Sequence, residues 1–217
     1  MMARFEPLVK HFNRYLTIGG FPELALSDDD LYAQRMLRED VVDKVIKRDV
    51  LTLFKVRSPL LMEKLFLYLC MNSTEIFSAT TAAKELDNIS PNTIESYVDA
   101  LVKSNLIYMA YPIAVGSKSV LKGRPKIYIA DAAIRNAVLM VDDVLSDERE
   151  LGLLIETTVY KHLVSFYQGT GAQLGYYRKA KVKSKEVDAV IELPQPKNSV
   201  RSQIPKTIRI YRRRMAL

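Results

Sequence analysis

The sequence predicts an α/β protein of the α+β kind, helical in its first half and mixed in its second. Three observations predict it. Apolar residues recur at helical spacing as far as Ser104; the period changes to two over Leu106–Ile113 and Lys126–Ala130; and a later helix, Leu151 to Tyr167, leads into two more strand-like runs, Leu174 to Arg178 and Val187 to Leu193.

The first helix spans Phe5 to Leu16, with apolar or aromatic residues at 5, 8, 9, 12, 15 and 16, and stops at Gly19-Gly20-Phe21-Pro22-Glu23. Ser27-Asp28-Asp29-Asp30 offers an N-cap and favourable negative charge to a long amphipathic helix from about Leu31 into the fifties. Its charged face has mixed sign and reads as solvated. Ser58-Pro59 then opens a helix with an apolar face of Leu60, Leu61, Leu65, Phe66, Leu69 and Cys70, followed by Ile76-Phe77-Ser78 and a short helix, Ala79 to Leu86. Ser90 is placed to cap the next helix and Pro91 falls at its first position, with Ile94, Tyr97, Val98, Leu101 and Val102 inward and Asn105 suited to a left-handed C-terminal cap.

Composition narrows the class. Hydrophobic residues are 48% and charged residues 26% of the 217, as in an ordinary globular protein. No run approaches the roughly 20 apolar residues of a membrane span, and Met1 to Pro7 lacks the pattern of a signal peptide. The expected location is therefore cytoplasmic, with no membrane partner. The single cysteine, Cys70, lies in an apolar run and reads as a buried, inert thiol. The net charge of +7 is localised: every acidic residue lies at or before Glu192, while Lys197, Arg201, Lys206, Arg209, Arg212, Arg213 and Arg214 follow. Without those seven, 25 basic residues face 25 acidic ones. The high pI is a property of the tail, and says nothing about the body.

Helix, short helix, turn, helix and a two-stranded ribbon, in that order, is the winged helix-turn-helix arrangement. In its DNA-binding form the helix from Pro91 enters the major groove. Asn92, Thr93, Glu95 and Ser96 would face base edges, and Lys118, Lys122 and Arg124 in the loop between the strands would contact phosphates. The alternative is a packing or protein-interaction module, because Glu95 and Asp99 make a poor electrostatic match for a duplex.

In the last third, Asp131-Ala132-Ala133 starts a helix and Asp142 to Glu150 forms an acidic connector. Glu156 falls among the apolar positions of the helix after it, where a carboxylate needs a partner or a metal. Beyond a basic turn (Lys179, Lys181, Lys183, Lys185), Glu186 and Asp188 share one face of a strand by period two.

Leu16-x-x-Gly19-Gly20-Phe21-Pro22-Glu23, the strand Lys126 to Asp131, Gly152-x-x-x-Glu156, and Tyr177-Arg178 followed by Glu186-Val187-Asp188 together resemble the C-terminal half of prokaryotic AAA-type ATP-binding proteins. Those proteins join a P-loop ATPase to a winged helix and a terminal domain of unknown function similar to the PD-(D/E)xK restriction-endonuclease fold. The resemblance implies a helical linker region at 1–57, a winged helix at 58–130, a truncated nuclease-like domain at 131–196 and a basic tail at 197–217. It also implies that Glu156 and Asp188 correspond to the nuclease acids that hold Mg²⁺, the one cofactor in prospect should such a site be active.

Two departures shape the functional expectation. No G-x-x-x-x-G-K-[ST] occurs, so this chain alone is not expected to hydrolyse ATP, and a separate ATPase chain becomes a prospective partner. No E-x-K strand follows Leu193-Pro194-Gln195-Pro196, which leaves the nuclease pattern without its third carboxylate and its lysine. An out-of-frame tail would explain that loss, and its deletion would then leave the melting temperature unchanged; a natural nucleic-acid-binding tail is the rival. The expected function is a non-catalytic winged-helix module of an ATPase-family protein that binds double-stranded DNA or a protein. The alternative is a metal-dependent nuclease using Glu156 and Asp188.

Overall fold

The computed structural model describes residues 6–54, 56–113, 123–141, 143–178, 186–194 and 207–210. Its fold is α+β, a helical assembly wrapped onto one edge and face of a mixed sheet.

Helix α1 (Glu6–Ile18) is buried at its C-terminal end through Leu16 and Ile18, while Leu8, Val9 and Phe12 are exposed. The apolar stripe read from the sequence thus meets the core over its last turn alone. A short α2 (Pro22–Ala25) follows the glycine turn, and Asp29 caps α3 (Asp30–Met36) by accepting from the Tyr32 backbone N–H at 2.9 Å. The chain stays helical beyond Met36, but Leu37–Asp43 and Val45–Val50 are π-helical before α4 (Leu51–Leu53). The cause lies in the spacing of the buried residues. Ala33, Leu37, Val42, Ile46 and Val50 recur every four or five positions, wider than the 3.6 of an α-helix, and the wider turn keeps them on one face.

Helices α5 (Pro59–Met71), α6 (Ala79–Glu85) and α7 (Pro91–Lys103) form the next layer. Ser58 and Ser78 cap α5 and α6 through their hydroxyls, at 3.3 and 3.4 Å. Ser90 stands at the N-cap of α7 as expected, yet its side chain makes no cap bond; its carbonyl accepts from Thr93 and Ile94 instead. Leu60 is also corrected: it is exposed, and Met62 takes the core position. Asn105 has φ +54°, the left-handed cap read from the sequence.

Strand β1 (Ile107–Pro112) pairs antiparallel with β2 (Lys126–Ile129). Segment 74–77 covers the outer edge of β2, with Thr74 N–H donating to the Ile127 carbonyl at 2.7 Å and Phe77 N–H to Pro125 at 2.8 Å. After α8 (Ala132–Leu139) and α9 (Glu148–Tyr167) come β3 (Gln173–Arg178), β4 (Glu186–Glu192) and β5 (Thr207–Ile210). The sheet order is β2-β1-β3-β4-β5. Among the described residues only the β1–β3 contact is parallel, with Tyr111 opposite Gly175 and Pro112 opposite Tyr176. At Gly175 a Cβ would stand 2.0 Å from the Tyr111 carbonyl oxygen, so the two backbones meet this closely because the residue is glycine.

Two sequence expectations change here. The strands on either side of residue 130 belong to one sheet, because the free edge of β1 is paired by β3. A strand does follow β4: β5 lies antiparallel to it, Ala189 opposite Ile210 and Glu192 opposite Thr207. It reads Thr-Ile-Arg-Ile, so the strand is present and its carboxylate is not.

Candidate functional site

Strand β2 alternates Lys126 and Tyr128 with Ile127 and Ile129, and all four are buried. The isoleucines join the helical core, whereas Lys126 and Tyr128 point toward α9 and β4. There the Lys126 Nζ lies 2.6 Å from Glu186 Oε1, 2.9 Å from Asp188 Oδ1 and 3.5 Å from Glu156 Oε1. The lysine side chain is 6% exposed, Glu156 9%, Asp188 13% and Glu186 34%, so the cluster opens to solvent on the Glu186 side. Arg178 approaches Glu186 from that side at 3.9 Å.

Aromatic side chains complete the setting. The Tyr128 hydroxyl donates to Glu156 at 2.8 Å, and its ring stacks on Tyr160 with centroids 4.1 Å apart. The Tyr176 ring lies 5.7 Å from the Lys126 Nζ, within cation–π range, and its hydroxyl donates to the Arg124 carbonyl. Burial alone would lower the Lys126 pKa, but Glu156, Glu186 and Asp188 outweigh it and hold the ammonium well above the ordinary lysine range. Burial, reinforced by the Glu156 charge, pushes the Tyr128 hydroxyl far upward, so it stays a donor.

The two acids singled out from the sequence are therefore brought together, along with Glu186, around a lysine that sequence reasoning missed. A signal for it existed: Lys126 and Tyr128 share one face of a strand by period two, in the same strand that carries the family resemblance. An ammonium at the focus of the carboxylates does not fit a divalent ion at that point. Among the described residues no group of three or more His, Cys, Asp or Glu is arranged to hold a metal.

The glycine turn and Asp131 form a second polar centre. Asp131 caps α8 by accepting from Ala133 N–H at 2.9 Å, accepts weakly from Gly20 N–H at 3.4 Å, and is ion-paired with Lys161 of α9. Lys161 also donates to the Tyr15 hydroxyl at 3.0 Å, and that hydroxyl lies 3.1 Å from His162 Nε2. Gly19 has φ +78°, and a Cβ there would stand 2.7 Å from Asp131 Oδ1. The pairing of Gly-Gly-Phe-Pro-Glu with the aspartate after β2 thus has a steric and electrostatic basis. Nearby, buried Arg135 makes a bidentate pair with Glu150 (2.6 and 3.3 Å) and donates to the Cys70 carbonyl.

Of the prospective DNA contacts, Asn92, Glu95 and Ser96 are exposed on α7, Thr93 is half-buried, and Arg124 is exposed just before β2. Lys118 and Lys122 lie outside the described residues. Glu95 and Asp99 of α7 line an open groove of about 1280 Å³ together with Tyr108, Tyr111, Arg124 and Tyr167 at the end of α9. The carboxylate cluster is not part of its lining. Among the described residues no helix is long and apolar enough to cross a membrane.

Residues 9–145 match the model of a family described as a domain of unknown function, DUF8612. The chain belongs to this family. The DUF8612 match runs from α1 into the acidic connector, so it includes the glycine turn, Lys126 and Asp131, and ends before Glu156. The chain is 30% identical over 172 residues to the uncharacterized protein MJ1637 of Methanocaldococcus jannaschii, covering 78% of this chain and 35% of the relative. It is 25% identical over 160 residues to the uncharacterized protein MJ1544 of the same organism, covering 72% and 34%. This DUF8612 chain thus spans about a third of the length of these curated relatives. No solved structure matches it significantly.

Proposed function

We propose that this DUF8612 chain is a non-catalytic binding module of a AAA-type ATPase-family protein, in which α5, α6, α7 and the β1–β2 ribbon act as a winged helix. The carrying observation is the outward display of Asn92, Glu95 and Ser96 at the start of α7, above a helix pair followed directly by an antiparallel ribbon. Helix α7 is the contact element, and double-stranded DNA is its first prospective partner. The protein-binding reading is favoured by one specific observation: Glu95 and Asp99 line the groove beside α7, and a duplex repels acids there. A separate ATPase chain is the protein partner that the family resemblance suggests.

Fluorescence anisotropy with a short labelled duplex, across a salt series, separates these readings. DNA binding through α7 and the wing predicts that Asn92→Ala with Ser96→Ala weakens affinity by roughly 5- to 150-fold, for base contacts worth ~1–3 kcal/mol. Replacing Lys118, Lys122 and Arg124 together by Ala lowers the salt slope by about three. No duplex binding at low salt sinks the DNA reading and leaves the protein one.

The nuclease alternative draws support from the lysine now seen beside Glu156 and Asp188. Against it stands the engagement of that ammonium by three carboxylates, which leaves little free charge for a phosphate. Mg²⁺-dependent DNA cleavage that vanishes in Asp188→Ala would establish the alternative.

A further inference from the structure

We propose that the Lys126 ammonium takes the place of a divalent cation in the Glu156–Glu186–Asp188 cage, so that the native chain excludes metal there and loss of the lysine opens a metal site. The three carboxylate oxygens come from two elements, α9 and β4, and converge on one point, the Lys126 Nζ. Hard divalent cations take such oxygens at about 2.0–2.6 Å; around the ammonium they stand at 2.6, 2.9 and 3.5 Å, so the native arrangement is not one that holds a metal, and Glu156 has to close by roughly 1 Å once the lysine is gone. The cage is largely buried, and carboxylates there stay ionised only with a cation among them. The lysine supplies that cation from within the chain. Tyr128 fixes the Glu156 oxygen that faces it, and the Tyr176 ring flanks the ammonium. A tethered ammonium cannot exchange with solvent as a metal does, and its stem fills the space that coordinated water would need. This inference stands apart from the DNA- or protein-binding reading.

The test uses the full chain and Mn²⁺ as the probe. The native protein is expected to show no change in melting temperature with Mn²⁺ and no bound Mn²⁺ by electron paramagnetic resonance. Lys126→Ala is expected to melt lower without metal and to gain about 5–10 °C at a hundredfold excess of Mn²⁺ over its dissociation constant. The double variant Lys126→Ala/Asp188→Asn is expected to lose that gain. If Lys126→Ala is unfolded without metal, refolding on addition of Mn²⁺ supports the inference, and failure to refold overturns it. Mn²⁺ bound to the native chain with broadening of the Glu156 and Asp188 resonances overturns it as well, as does a Lys126→Ala variant indifferent to the metal.

Discussion

The Lys126 ammonium on β2 lies 2.9 Å from the Asp188 carboxylate on β4, with β1 and β3 between the two strands in the sheet, and reaches Glu156 of α9 from the same position. One side chain thus ties the β1–β2 ribbon to the C-terminal strands and to the longest helix. Because the contact is nearly solvent-free, its loss has consequences that a surface ion pair would not have.

Replacing Lys126 by Met keeps the length of the stem and removes the charge, leaving three carboxylates without their cation. The expected loss is about 3–5 kcal/mol of folding stability, measured by urea unfolding. Asp188→Asn in the Lys126→Met background should restore part of it. A Lys126→Met variant as stable as the native chain would show that the cluster contributes nothing net.

The alkaline limb of stability carries the signature of the same ion pairs. Lys126 and Lys161 are both held above the ordinary lysine value of 10.5, Lys126 by its three acids and Lys161 chiefly by Asp131, each against the opposing effect of burial. A raised folded pKa contributes stability that is complete below about pH 10.5 and disappears as pH climbs through the folded value. Unfolding free energy should therefore show no lysine-linked loss from pH 7 to 10 and decline above it. The decline should be shallower in Lys126→Met; an identical slope would contradict the assignment.

At Gly19 the backbone is left-handed and Asp131 occupies the space of a side chain. Gly19→Ala is expected to cost about 1–3 kcal/mol for the backbone conformation alone, with further disturbance of the Asp131–Lys161 pair. Each kcal/mol lowers the melting temperature by about 2–4 °C in a chain of this size. Gly169, also at positive φ but with open space around it, serves as the control for the steric part.

Truncation after Pro196 removes β5. Ladder hydrogen bonds worth ~0.5–1.5 kcal/mol each put the expected loss at about 2–5 kcal/mol, and the exposed edge of β4 should promote association visible by light scattering. An unchanged melting temperature would mean that the tail adds nothing to the fold.

Cys70 is fully buried, and burial drives its thiol pKa upward despite nearby Arg135. A thiol reagent at pH 8 should leave the native chain unmodified and react once denaturant unfolds it. Rapid native reaction would place the α5 interior in exchange with solvent.

Much of this fold is legible in the sequence because local chemistry and tertiary packing agree. Ser58 and Ser78 cap where serine precedes a helix, Asn105 takes the left-handed position, and the alternation in β1 and β2 follows the change of period. The π-helical stretch is hidden because its signal is a slightly wider spacing of Leu37, Val42, Ile46 and Val50. The acids were readable as misplaced polar residues, Glu156 on an apolar face and Glu186 with Asp188 by period two. Their partner was less so, since a lysine at the start of a strand ordinarily points to solvent. That Lys126 turns inward depends on Glu156 of α9 and Asp188 of β4, which follow it by 30 and 62 residues in the chain. The strand after Pro196 was missed because the acid-free composition drew attention away from Thr-Ile-Arg-Ile, four residues with ordinary β character.

The central claim, that a Lys126 charged at neutral pH fills the carboxylate cage, is most directly tested by nuclear magnetic resonance of the lysine side-chain ammonium groups. The account predicts one Nζ signal that is visible at neutral pH because its protons exchange slowly, disappears in Lys126→Met, and does not move when Mg²⁺ is added. A Lys126 amine that exchanges as fast as surface lysines, or shifts on titration with Mg²⁺, would contradict it.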